Sequence, residues 1–116
     1  KVEDRTVFVL SCDGRYALRK RPGKGLLAGL WEFPNVSGKL ELPQIMAEVE
    51  RMGLAARDIL RTVERKHIFT HIQWQMRGVY MEVAEPAGDL IWMTMDEIDF
   101  NAALPTAFRQ FREEIE

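Results

Sequence analysis

Cysteine is nearly absent: the 116 residues contain one, Cys12. A single thiol excludes an internal disulfide framework, a four-cysteine zinc site and a cysteine-ligated iron–sulfur cluster within this chain, and it fits a reducing, intracellular compartment. Long apolar runs are absent too. No stretch approaches the roughly 20 apolar residues that a membrane-spanning helix needs. The stretch Lys1-Val2-Glu3-Asp4-Arg5 has no apolar segment behind it, so no secretory signal is expected at this end. Serine is scarce, and neither Ser11 nor Ser37 stands in a nucleophile elbow. The two histidines, His67 and His71, are four apart without the intervening glutamate of an H-E-x-x-H metal motif. Their surroundings read as strand and loop, where that spacing does not converge, so no metal site is expected. What remains is 29% charged and 47% hydrophobic, the mix of an ordinary globular domain with one core.

The net charge of −2 conceals an uneven distribution. Residues 1–81 hold 14 Lys/Arg against 9 Asp/Glu, and residues 82–116 hold 2 against 9. Arg15, Arg19, Lys20, Arg21 and Lys24 form one basic cluster, and Arg61, Arg65, Lys66 and His67 a second. Such clusters suit a polyanionic partner, or else a solvated strand edge.

Periodicity divides the chain into one series of elements. Thr6-Val7-Phe8-Val9-Leu10 reads as a buried strand, Asp13-Gly14 as a two-residue hairpin turn, and residues 16–21 as the return strand ended by Pro22. Gly23, Gly25 and Gly29 mark a loop, after which Leu30-Trp31-Glu32-Phe33 forms a short strand stopped by Pro34. Over residues 42–52 the period becomes helical, with Leu42, Ile45, Met46, Val49 and Met52 on one face, Pro43 in the first turn and Gly53 just past the end. Residues 59–63 and 72–83 read as long strands. The second has Ile72, Trp74 and Met76 on one face before Gly78 interrupts it. Ile91-Trp92-Met93 is a last strand, and Thr94 with Glu97 makes a capping box. Leu104, Phe108, Phe111 and Ile115 form the stripe of a terminal helix beginning at Pro105. This order predicts an α/β (α+β) domain spanning residues 1–116, a mixed sheet with helices on both faces.

Few constellations suggest chemistry on residue type alone. The glycine loop lacks both the Gly-Lys-Ser/Thr ending of a phosphate loop and the G-x-G-x-x-G spacing, so it reads as a tight turn. Glu48 and Glu50 are two apart on the helix and point in different directions.

Three stretches carry a resemblance. Arg21-Pro22 with Gly25-Leu26-Leu27-Ala28-Gly29-Leu30-Trp31-Glu32-Phe33-Pro34 is similar to the loop–strand signature of the C-terminal domain of MutY-type adenine DNA glycosylases. His67-Ile68-Phe69-Thr70-His71 resembles that domain's Phe-Ser-His loop, with Thr for Ser. Trp92-Met93-Thr94-Met95-Asp96-Glu97-Ile98, followed by Leu104-Pro105-Thr106, resembles its tail, a feature shared with Nudix proteins generally.

The resemblance implies a Nudix-like fold and a domain that recognises 8-oxoguanine opposite adenine. In the family, a separate N-terminal domain carries the catalytic carboxylate and a 4Fe–4S cluster. The implied partners are double-stranded DNA with 8-oxoguanine:adenine mispairs and the N-terminal glycosylase domain of the same protein, with no membrane. The implied setting is the bacterial cytoplasm, at the nucleoid. Phe69, Thr70 and His71 would face the damaged base. Arg21, Lys24, Arg65 and Lys66 are candidates for phosphate contacts.

No catalytic residue, metal or cofactor is expected in this domain. Against the Nudix hydrolase pattern R-E-U-x-E-E-x-G-U, the chain has Met46-Ala47-Glu48-Val49-Glu50-Arg51-Met52-Gly53-Leu54. The Arg-Glu pair has become Met46-Ala47, and of the paired glutamates Glu50 remains, beside Arg51. Those glutamates would hold Mg²⁺ against pyrophosphate. Two alternatives remain. One is an active Nudix hydrolase cleaving an oxidised nucleoside triphosphate. The other is an interaction module using a sheet face or the acidic Glu113, Glu114 and Glu116.

Overall fold

The computed structural model describes residues 1–115, and among these it has seven strands and three helices. The strands are β1 (Val2–Cys12), β2 (Arg15–Lys20), β3 (Trp31–Glu32), β4 (Asn35–Ser37), β5 (Ala56–Ile68), β6 (Gln73–Val83) and β7 (Ile91–Thr94). The helices are α1 (Leu42–Arg51), α2 (Met95–Asn101) and α3 (Thr106–Glu113). The sheet runs β3-β2-β1-β6-β5, with β4 paired to β1 and β7 paired to β2. It is mixed, because β1 and β6 run parallel from Val2↔Gln73 to Ser11↔Glu82 while the other pairs are antiparallel.

The central strands are apolar on both faces, as strands covered on both sides must be. Val7, Val9, Trp74, Met76 and Tyr80 join Ile98, Phe108 and Phe111 in one core, beneath α2 and α3. Phe8, Leu10, Val79 and Met81 join Ile45 and Val49 of α1 in the other. The expected mixed sheet between helices is therefore present. The hairpin turn is also as expected: Asp13 and Gly14 both have positive φ, at 49° and 76°, which a two-residue turn of this hand requires. Thr94 and Glu97 close their capping box in both directions.

Four expectations change. Pro34 ends β3 but not the chain's pairing, since Asn35–Ser37 joins β1 as β4, a strand too short for any pattern. The stripe on α1 narrows to Ile45 and Val49. Leu42 is 56% and Met46 40% exposed, because the helix touches the sheet along one line. Strand β5 runs five residues beyond Val63 to Ile68, so His67 and Ile68 belong to a strand and the loop shrinks to residues 69–72. Its charged residues are tolerated because β5 lies at the sheet edge.

Gly78, finally, does not interrupt β6. A Cβ there would lie 2.5 Å from Cε1 of Phe111 and 3.1 Å from Cγ2 of Val63. The missing side chain is the slot that lets α3 lie close to the sheet. Tyr80, two residues on, donates its hydroxyl hydrogen to the Phe111 carbonyl at 2.7 Å, and burial pushes its phenol up to about 12.

Gly78→Ala is therefore expected to destabilise by about 1–3 kcal/mol through overpacking. Urea unfolding of Gly78→Ala, Phe111→Ala and the double variant should give strong non-additivity, since removing Phe111 removes the clash. An additive cycle would mean that the slot is not shared.

Candidate functional site

The site is built on a buried carboxylate. The Glu32 side chain is 3% exposed, and a charge that deep needs both partners and hydrogen bonds. Strand register supplies the first, since Arg19 stands opposite Glu32 and donates from Nε to Oε2 at 2.8 Å. Arg21 Nη1 donates to Oε1 at 2.6 Å, and Asn35 Nδ2 to the same oxygen at 2.7 Å. Asn35 extends the network, its Oδ1 accepting from Arg5 Nε at 2.9 Å and Nη2 at 2.6 Å. Burial, with Arg21 nearby, draws the Arg5 guanidinium below the usual arginine range.

The network reaches two segments. Arg21 Nε donates to the Leu26 carbonyl at 2.9 Å, while Arg21 N–H to Leu30 O and Gly29 N–H to Pro22 O close the base of the glycine loop. Gly25 and Gly29 adopt positive φ, 88° and 71°, which explains why glycine stands there. The second segment is Trp74, 2% exposed, with the guanidinium carbons of Arg5 and Arg21 at 5.0 and 5.3 Å from its ring centroid. Phe69 packs edge-on against Trp74 at 5.0 Å and against His67 at 4.6 Å. Phe69 is thus a half-buried wedge between core and surface.

Beyond Phe69 the chain turns. Phe69 N–H donates to Ile72 O at 2.7 Å, which leaves Thr70 and His71 exposed at the tip. Neither side chain hydrogen-bonds with another of the described residues. A shallow depression of about 440 Å³ lies here, lined by Leu26, Ile68, Phe69, Thr70, His71 and Ile72. Leu26 of the glycine loop thus shares a lining with residues 68–72, some forty residues on in sequence.

The four basic candidates divide into two pairs. Lys24 and Lys66 are exposed, and neither forms an ion pair among the described residues. Arg21 is held by Glu32, with 15% of its side chain exposed. Arg65 is held by Glu114, which also receives Arg61. The Arg65 hydrogen bond, then Arg61, keeps the Glu114 carboxyl below the usual carboxylate range. Of the acidic trio at this end, Glu114 is thus engaged, Glu113 is exposed and forms no ion pair among the described residues, and Glu116 lies outside them.

The helix α1 offers poor metal ligands. Arg51 closes an ion pair on Glu48, leaving Glu50 exposed on another side. Among the described residues no three His, Cys, Asp or Glu side chains converge. The divalent ion that hydrolases of this fold use does not fit this donor set.

Sequence reading missed Glu32, Asn35, Arg5 and Trp74 as parts of the site. The available signal was an acid inside an apolar strand, between Trp31 and Phe33, with arginines on the neighbouring strand.

The sheet sandwiched by helices, with its altered metal helix, defines the class: the chain belongs to the NUDIX domain family, whose model matches residues 6–114. Within it, the likeness is to adenine DNA glycosylases. The human and rat proteins are 34% and 33% identical over 105 residues, each alignment covering 80% of this chain. The chain spans about a fifth of the length of these relatives. Among solved structures, the C-terminal domain of mouse MUTYH, in complex with human PCNA, is 30% identical. Its TM-score is 0.61, and the match covers 95% of this chain and 85% of that one. A MutT NUDIX hydrolase from Burkholderia pseudomallei superposes with a TM-score of 0.72 over 100% of this chain and 99% of that one. At 21% identity, that match concerns the fold alone.

The two aromatic contacts and the exposed tip separate the roles of neighbouring residues. Phe69→Leu is expected to cost about 1 kcal/mol in urea unfolding, the worth of an aromatic edge contact and some buried area. Thr70→Val should stay within about 0.5 kcal/mol, as exposed substitutions do. Equal costs would contradict the wedge-and-tip arrangement.

Proposed function

We propose that this chain is a non-catalytic NUDIX-fold domain of a longer adenine DNA glycosylase, and that it recognises 8-oxoguanine opposite adenine during base-excision repair. The observation that carries the reading is the shared depression. Leu26 of the first motif stretch and residues 68–72 of the second line it together, and the Thr70 and His71 side chains hydrogen-bond with none of the other described residues.

The chemistry of the base sets the requirement. Guanine presents N7 and O6 as acceptors on its outer edge. In 8-oxoguanine N7 carries a hydrogen and becomes a donor, and C8 gains a carbonyl. A reader needs an acceptor for N7–H, a donor for O8, or both. The Thr70 hydroxyl offers each. His71 supplies a second polar group, and Phe69, backed by Trp74, provides a firm surface for a base or sugar.

Lys24 and Lys66 are the outward charges suited to phosphate contact. The partners are duplex DNA bearing the mispair and the glycosylase domain of the same polypeptide, and the setting is the bacterial cytoplasm at the nucleoid. No metal or cofactor is assigned to this domain.

Two measurements test the reading. Thr70→Val should narrow the binding preference for 8-oxoguanine:adenine over guanine:adenine duplexes in the chain joined to its glycosylase region. The expected loss is about 1 kcal/mol, the low end for a base contact. An intact preference would move recognition away from Thr70. The chain should also leave oxidised and normal nucleoside triphosphates uncleaved with Mg²⁺ or Mn²⁺. Turnover near about 1 s⁻¹ would replace this reading with that of a hydrolase.

A further inference from the structure

We propose that Arg21 is a positioning residue rather than a phosphate ligand: held by buried Glu32, it sets the placement of the two walls of the depression at whose rim Thr70 and His71 stand. The inference rests on the reading of that depression as the recognition site.

One guanidinium makes three engagements. Nη1 donates to Glu32 Oε1 at 2.6 Å, Nε donates to the Leu26 carbonyl at 2.9 Å, and the guanidinium carbon lies 5.3 Å from the Trp74 ring centroid. Leu26 belongs to one wall. Trp74 bears edge-on on Phe69, which begins the other wall and closes the 69–72 turn through its N–H.

None of the neighbouring polar groups does this. Arg19 donates to Glu32 and to the Asn35 carbonyl, and Arg5 reaches Trp74 and Asn35, but neither side chain hydrogen-bonds to the glycine loop. Glu32 orients the fork without lining the depression itself. With 15% of its side chain exposed, Arg21 is poorly placed to meet a phosphate, a role open to Lys24 and Lys66.

The role demands an arginine. A lysine ammonium keeps the charge and can satisfy Glu32, but it lacks the planar fork that reaches Leu26 at the same time and the delocalised guanidinium that lies over the Trp74 ring. Charge and positioning are therefore separable by Arg21→Lys.

Two readouts test the proposal. The first is amide hydrogen exchange in this chain. In Arg21→Lys, the Phe69 amide should exchange at least about tenfold faster, while Val79 and Met81 at the sheet centre stay within about twofold of the parent. The second uses the chain joined to its glycosylase region. Arg21→Lys should lower the preference for 8-oxoguanine:adenine at least about threefold at an unchanged salt slope, whereas Lys66→Ala should reduce that slope by about 1 and leave the preference intact.

A parent-like loop and preference in Arg21→Lys overturns the proposal. So does a uniform rise in exchange across loop and core, which marks a merely structural role. An Arg21→Gln variant that lowers the salt slope with an intact preference assigns a phosphate contact and overturns it as well. A parent protein without any preference overturns the recognition reading, while a local rise at Phe69 still supports the coupling of Arg21 to the loop. Should Arg21→Lys fail to fold, Glu32→Gln keeps an acceptor for Arg21 without its charge. A faster Phe69 amide over a quiet core then supports the proposal, and an unchanged one overturns it.

Discussion

A single carboxylate organises one end of this molecule. Glu32 lies in a two-residue strand, and its ionised form is tolerable there only because two arginines and an asparagine donate to it. Removing any partner would leave charge buried and short of bonds, so the partners are bound to their places. Asn35 then fixes Arg5, and Arg5 and Arg21 both lie over the Trp74 ring. Two adjoining loops inherit their positions from this arrangement. Net stability is not what such a network chiefly supplies, since hydrophobic residues of equal volume often hold a core as well.

The sheet supplies the rigid base. β1 and β6 lie parallel at its centre, buried on both faces, and the two helical layers pack independently on them. The close approach of α3 depends on Gly78, where the absent side chain admits the ring of Phe111. A rigid base matters to an exposed loop four residues long. The tip at Thr70 and His71 stays exposed because Phe69 on one side and β6 on the other are anchored.

The same fold can serve unrelated ends because chemistry resides in particular side chains. The helix that bears metal ligands in hydrolases is retained here as α1, and Ile45 and Val49 still hold it to the sheet. Its carboxylates are not arranged as a metal site, since Arg51 occupies Glu48. The polar resources of the domain lie instead around the glycine loop and the 69–72 turn. Elsewhere Glu114 ties down Arg61 and Arg65, while Lys24 and Lys66 stay exposed.

Sequence by itself determined whatever depends on near neighbours along the chain. The Asp13-Gly14 turn, the Thr94–Glu97 box and the helices starting near Pro43 and Pro105 follow from local stereochemistry and periodicity. The mixed sheet between helices follows from the order of those elements. The three motif stretches pointed to the family. Tertiary structure decided everything that needs two distant segments at once. It showed β4 finding β1, and Gly78 as a slot for an aromatic ring 33 positions later rather than a break. It placed Arg21 inside, against Glu32, where a count of basic residues reads it as outward charge. It also gathered the glycine loop and the Phe-Thr-His loop around one depression. Periodicity reports which face of an element is apolar; which partner that face meets, and whether a charge beside it is solvated or paired, depends on atoms that no local window contains.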